Sequence, residues 1–472
     1  MSPPDAQTYW ISTKIHSDQY LLYCFADPAD SMAAMRASLI ARAAFVTDLR
    51  IRVREVPFHA DYPHWVPMDI GVDHVQVHAP LGSWQDIPPA VGELLTERLD
   101  PCESPWRLHL FAVSRGAPRC GDSPAVVAVL QVAHALADGR VASALARALF
   151  GGRAAAMLQA PGPTPWRPAW ALALAAARLP AQLASLVAAA VPAHRTHRAL
   201  EHDTAAGVLP PQPPSRPKGP TNARPDDRRS VRMVVRDAAD LRGPGVTVTV
   251  GAMTAISVAL SRYLRAHGSE VPGDLVAEVT VAKPGRARAR NHFRNVAVDL
   301  HPGVADLRER AEAIAESMAS RRARGEHPAA AAADRALRSV PGPLVRWGVE
   351  QFDFGAIPET VTGNTVVSSV DRGPADLSLG GGPVRFTAGF PALSQFMGLT
   401  HGVHGIGDTV TISVTTSPAV LADVDAYEAM LHDAIDEVRA TLGSIGWRAA
   451  PSPDTLHSVS EDPAMSVNPA EQ

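Results

Sequence analysis

The sequence predicts an α/β protein of two similar halves, and three observations carry that reading. Apolar runs at strand period alternate with helical runs along most of the 472 residues. A break with seven prolines between residues 210 and 225 divides the chain near its middle. The alternation then resumes, and at about 150 residues per domain the length admits two or three domains. Hydrophobic residues make 46% and charged ones 19%, so a sizeable core is available and global disorder is excluded.

In the first half, Met32 to Ala43 is helical in pattern, and Leu49 to Val56 carries Leu49, Ile51 and Val53 at strand period. Asp73 to Ala79 alternates valines with polar residues. Ile87 to Leu99 reads as a helix with Pro88 and Pro89 in its first turn. Strands follow over Trp106 to Ser114 and Pro124 to Val132. The second is a near-continuous apolar run, as expected of a strand buried on both faces. A helix covers Ala142 to Phe150. Residues 1–200 form the first half on this reading, and 201–229 a crossover linker.

The second half, 230–446, places strands at Val231–Val235, Leu275–Ala282, Val296–Leu300, Thr365–Val370, Val384–Phe390 and Thr409–Val414. Helices are expected over Val250–His267, Ala305–Arg324 and Leu421–Leu442, and a disordered tail over 447–472.

A formal charge of −4 gives no attraction to nucleic acid. Only Lys14, Lys218 and Lys283 are lysines and about one residue in six is alanine, a composition of high-GC, bacterial type. Three cysteines (Cys24, Cys102, Cys120) form no CxxC pair. They fit a reducing cytosol and argue against a cysteine-based zinc site. No basic, then apolar, leader is visible at the N-terminus. Ala169 to Pro192 is rich in Ala and Leu but interrupted by Arg178, Pro180 and Gln182. A span wants about 20 predominantly apolar residues. The expectation is a pair of helices packed on the protein, with a surface-lying membrane contact as the alternative.

One stretch carries chemistry. Gln131-Val-Ala-His-Ala-Leu-Ala-Asp-Gly139 follows the buried strand and precedes a helix. His134 leaves the strand where an imidazole can face a cleft on a rigid backbone. Asp138, four residues on, can fold back as an ion-pair partner, and Gly139 permits a tight turn.

Several stretches resemble the bacterial wax ester synthase/diacylglycerol acyltransferase family. Ser2-Pro-Pro-Asp5 is similar to its S-x-x-D opening, and Trp65 to His74 loosely to its W…FDxxxH stretch. Leu99 to Trp106 is similar to LDxxxPLW, His134 to Gly139 to HHxxxDG, and Ser368 to Pro374 to SNVxGP. Asn295 stands where the family has a glycine-asparagine pair before a strand. The departures are Ala133 for the first histidine, Thr249-Val250 for a helix-opening Asn-Asp, and Ser369 for the asparagine of SNVxGP.

The resemblance implies two domains similar to chloramphenicol acetyltransferase. They form a pseudo-dimer with the active-site channel between them. It also implies an acyl-CoA-dependent O-acyltransferase that esterifies a lipid alcohol or diacylglycerol. His134 would be the general base, Asp138 and Gly139 the loop-shaping residues, and acyl-CoA a co-substrate with no permanently bound cofactor. Asn295, Ser368 and Ser369 would belong to the substrate side. An imidazole titrates between pH 5 and 8, and general-base assistance is typically worth about 10²–10⁴-fold. The expected place is cytoplasmic, peripheral at the inner membrane face. A polyketide, glycolipid or amine acceptor, or a non-catalytic lipid binder, are the alternatives.

The cluster Arg286, Arg288, Arg290 and Arg294 fits bidentate contact with a CoA phosphate. It fits equally a solvated basic loop, or a partner for Asp138. His401 and His404 flank a glycine-rich turn, on opposite faces if extended, without a metal-ligand set nearby in sequence. Asp353-Phe-Gly355 lacks the other kinase motifs, and Gly380-Gly-Gly382 reads as a turn.

Overall fold

The computed structural model describes residues 1–151, 166–356 and 358–443. The expected tail over 447–472 lies outside the described residues.

Two six-stranded mixed sheets form the body. The order in the first is Ser378–Leu379, Gly382–Gly389, Gln19–Ala26, Ala125–Val132, Trp106–Val113, Val75–Val77. In the second it is Phe293–Asp299, Val276–Ala282, Thr365–Asp371, Leu399–Ile406, Thr409–Thr416, Ser230–Asp237. The expected boundary between halves is therefore corrected. Gly382–Gly389 belongs by sequence to the second half, yet pairs antiparallel with Gln19–Ala26 in the first sheet, Leu22 opposite Ala388. An open strand edge leaves backbone groups unpaired, and this exchange closes one.

Ala125–Val132 is buried at every residue, as its apolar run predicts. Val126, Ala128 and Leu130 face a core shared with the helices Met32–Ala43 and Gly139–Leu149. Val127 and Val129 face another that reaches Ile87, Val91 and, from the second sheet, Val231 and Met233. The helices Val248–Ala266, Leu307–Glu326 and Val424–Gly443 cover the second sheet with the largest core.

The Ala/Leu-rich stretch departs from expectation. It is one continuous helix, Pro168–Ala205, of 38 residues despite Pro180 and Pro192 inside it, about 57 Å long at 1.5 Å per residue. The strong helix formers around each proline outweigh the one backbone bond it removes. Arg178 and Gln182 turn toward Asp61, at 4.0 and 3.3 Å. Leu179, Leu183, Val187 and Val191, four residues apart, form an exposed stripe. By length and composition this helix can cross a membrane, and only 6% of its most apolar window is buried.

Candidate active site

The site forms where the first sheet delivers its central strand to the seam between the halves. After Val132 the chain turns: Ala133 N–H donates to Pro105 O (2.8 Å) and Leu136 N–H to Ala133 O (2.8 Å). His134 projects from this turn, half-buried. Its ring stacks on Phe293 of the second half, centroids 5.5 Å apart. The Gln19 amide nitrogen lies 3.3 Å from Nδ1 and donates to Ala137 O at 3.0 Å. Among the described residues, no protein group bonds Nε2 of His134.

Asp138 is the N-cap of the helix Gly139–Leu149. Oδ1 accepts from the N–H groups of Arg140 (3.1 Å) and Val141 (3.0 Å). Oδ2 accepts from His292 N–H of the second half at 3.1 Å. The expected arginine ion pair is thus replaced by three backbone donors, because helix start and cross-seam loop converge on this carboxylate. Gly139 is corrected too. It begins the helix without positive φ, and a Cβ there would meet Val370 Cγ2 at 3.1 Å. Its role is close approach between the halves rather than a tight turn.

Asp5 holds the other side of the loop. The carboxylate is 2% exposed and accepts from Arg290 N–H (3.1 Å), Asn291 N–H (2.9 Å) and the Asn291 amide (3.0 Å). The same amide donates to His134 O at 2.8 Å. The S-x-x-D opening thereby reaches the candidate base through one side chain.

Arg290 does not present a phosphate contact. It is buried, paired with Asp48 at 2.6 Å, and lies over the Trp65 ring. Arg286 and Arg288 stay exposed on the loop. Ser369 Oγ bonds Thr249 Oγ1 at 2.8 Å, so these two departures from the family pattern touch. Ser368, Thr280 and Asn295 stand side by side across three strands, with Thr280 donating to Asn295 Oδ1 at 3.4 Å. Asn295 is two residues from Phe293 on the same strand face, about 7 Å. It lines a cavity of about 450 Å³ that His134 does not line.

His74 is a core residue, packed on Trp106 with centroids 4.9 Å apart, and burial pushes its pKa down. His401 and His404 are buried within the strand Leu399–Ile406, and the turn itself begins only at Gly407, at φ 55°. Among the described residues no group of three or more His, Cys, Asp or Glu could hold a metal ion. Gly380 and Gly381 do turn the chain, at φ of 58° and 80°. Gln19, Asn291 and Phe293 are site neighbours that no motif announces; a polar residue opening an apolar strand is Gln19's only signal.

Residues 1–250 match the wax ester synthase/diacylglycerol acyltransferase catalytic domain, and residues 290–439 match the C-terminal domain of that family. The chain belongs to the wax ester synthase/diacylglycerol acyltransferase family. It is accordingly an acyl-CoA-dependent acyltransferase, built of two domains of chloramphenicol acetyltransferase-like fold.

Among solved structures it is similar to the wax ester synthase/diacylglycerol acyltransferase from Marinobacter aquaeolei VT8. Identity is 17% and the TM-score 0.57, over 94% of this chain and 99% of that one. The first condensation domain of the CDA synthetase aligns at 13% identity and a TM-score of 0.53, covering 94% and 97%. A starter condensation domain mutant of rhizomide synthetase, in complex with C8-CoA and Leu-SNAC, aligns at 14% and 0.52, covering 94% of each chain. No curated protein matches. These likenesses extend over nearly the whole family member, both sheets included.

Proposed function

We propose that this family member esterifies a lipid alcohol or diacylglycerol, with His134 as general base. Nε2 takes the acceptor hydroxyl proton as the oxygen attacks the thioester carbon. The C–S bond then breaks, and the imidazolium returns the proton to the leaving thiolate. No protein nucleophile is needed, because the thioester is already activated. The observation that carries this reading is a half-buried imidazole at the seam, clamped through its own carbonyl, with Nε2 unclaimed by any described residue.

Gln19 sets a condition on the step. While its amide donates to Nδ1, the neutral ring keeps its proton on Nε2. Base action at Nε2 requires that amide to withdraw or to turn its oxygen toward the ring, so that Nδ1 carries the proton. Asp138 and Asp5 act by positioning: one carboxylate ties the helix start to His292, the other ties residues 290–291 under His134.

Lipid substrates are collected at a surface, and the exposed stripe of Pro168–Ala205 supports peripheral association from the cytoplasmic side. The Thr249–Ser369 hydroxyl pair, standing where the family has asparagines, favours a second reading in which the acceptor differs. Incubating the protein with long-chain acyl-CoA and a panel of long-chain alcohols, diacylglycerol and amines, with thiol release followed, separates the two. Ester formation with the lipid hydroxyls is expected. Turnover only with a soluble acceptor replaces this reading by the second.

A further inference from the structure

The cavity beside Asn295 has a mixed lining of arginines and alanines. Arg294, Arg321 and Arg324 line it, and so do Ala297, Ala330 and Ala333. The three guanidiniums meet neutral oxygens. Arg294 donates to Gly325 O. Arg321 donates to Ala297 O (3.2 Å) and Pro211 O (2.8 Å), and Arg324 to Thr204 Oγ1 (2.9 Å) and Pro210 O (2.8 Å).

Among the described residues none of the three forms an ion pair with a carboxylate. The one acid in the lining, Glu278, is engaged by the Thr362 hydroxyl. Burial, then the charges of Arg216 and Arg324, push the Arg321 pKa down, with Asp299 opposing from outside the lining. Three positive charges, half-buried and bound only to neutral groups, attract an anion strongly. The volume of about 450 Å³ falls within the roughly 300–1,000 Å³ of small-molecule sites.

We propose that this cavity binds a single-chain amphiphile with an anionic headgroup, a long-chain carboxylate or alkyl phosphate. The headgroup lies among Arg294, Arg321 and Arg324, and the chain runs over the alanines. The site is distinct from the reacting centre and does not rest on His134 being a base. Two features tie it to substrate traffic. The strand Phe293–Asp299 forms its wall and also carries the ring stacked on His134. The exposed helix Pro168–Ala205 borders it through His197 and Leu200.

The test is calorimetric titration of the full chain with dodecyl phosphate, laurate, dodecanol and free CoA. Both anionic amphiphiles should bind at least tenfold more tightly than dodecanol, and the tighter of the two identifies the headgroup. Arg321→Gln combined with Arg324→Gln should weaken both at least tenfold. Ala333→Phe, which fills space in the cavity and keeps the charges, should weaken both as well. His134→Ala should bind them like wild type. Three outcomes overturn the proposal: dodecanol binding as tightly as the anions, binding unchanged in Ala333→Phe, or free CoA displacing the amphiphile. The last would make the cavity a coenzyme phosphate site.

Discussion

Substitution of Asp138 separates its two structural tasks. In Asp138→Asn the amide oxygen can still cap Arg140 and Val141, as Oδ1 does now. Its –NH₂ then faces His292 N–H, donor against donor, where Oδ2 accepts at 3.1 Å. A hydrogen bond to a charged group is worth about 1.5–3 kcal/mol, and that is the expected loss. Asp138→Ala also forfeits the cap, about 1 kcal/mol more. Ala should therefore unfold at lower urea than Asn, and Asn at lower urea than wild type. Because His292 neighbours both Asn291 and Phe293, kcat should fall at least about tenfold in each as the imidazole loses its fixed place. Urea unfolding alongside thiol release measures both. An Asn variant with wild-type stability and no activity would refute this reasoning and make Asp138 a direct participant.

Three further outcomes are expected. Burial holds His109 down to about 4 and His401 to about 3, against an ordinary value of 6.5. The folded chain keeps them neutral while the unfolded chain protonates them, so stability present above pH 6.5 is lost as pH falls toward 4. Between pH 7 and 5 the loss is about 3–4 kcal/mol; a flat unfolding midpoint over that range would contradict it. Gln19→Glu places a carboxylate at Nδ1 and favours the imidazolium. The acid limb of kcat/KM should then move to higher pH, and an unmoved limb would show that Gln19 does not govern the ring. Val187 is 70% exposed on the apolar stripe, so Val187→Glu should cut sedimentation with anionic vesicles at low salt while sparing turnover of a short-chain soluble substrate. Wild-type protein that stays in the supernatant would sink the peripheral reading.

Much of the fold was legible because its signals are local. The run at Ala125–Val132, the prolines opening Ile87–Leu94 and the period of Met32–Ala43 each specify one element without reference to distant residues. What stayed hidden depends on tertiary contact. Leu399–Ile406 reads as a glycine-rich turn, yet Gly402 is there because a Cβ would meet Gly389 O at 2.2 Å. That is a demand of sheet-to-sheet approach, invisible along the chain. Gln19–Ala26 has no one-sided period because both its faces are buried.

At the site, His134 and Asp138 stand out by spacing, while Asp138's partner could not be foreseen. An isolated acidic residue suggests an arginine, whereas the fold supplies three backbone N–H groups from two halves. Arg290 shows the reverse case. A basic loop in sequence suggests phosphate, and only the folded chain shows its guanidinium committed to Asp48.

The kcat of His134→Ala, measured by thiol release from long-chain acyl-CoA with a long-chain alcohol, tests the general-base assignment most directly. Among the described residues the side chain makes one polar contact, to Gln19, and one ring contact, to Phe293, so the variant should stay folded, with its urea midpoint close to that of wild type. Its kcat should fall at least about 10²-fold. Wild-type turnover in that folded variant would contradict the assignment.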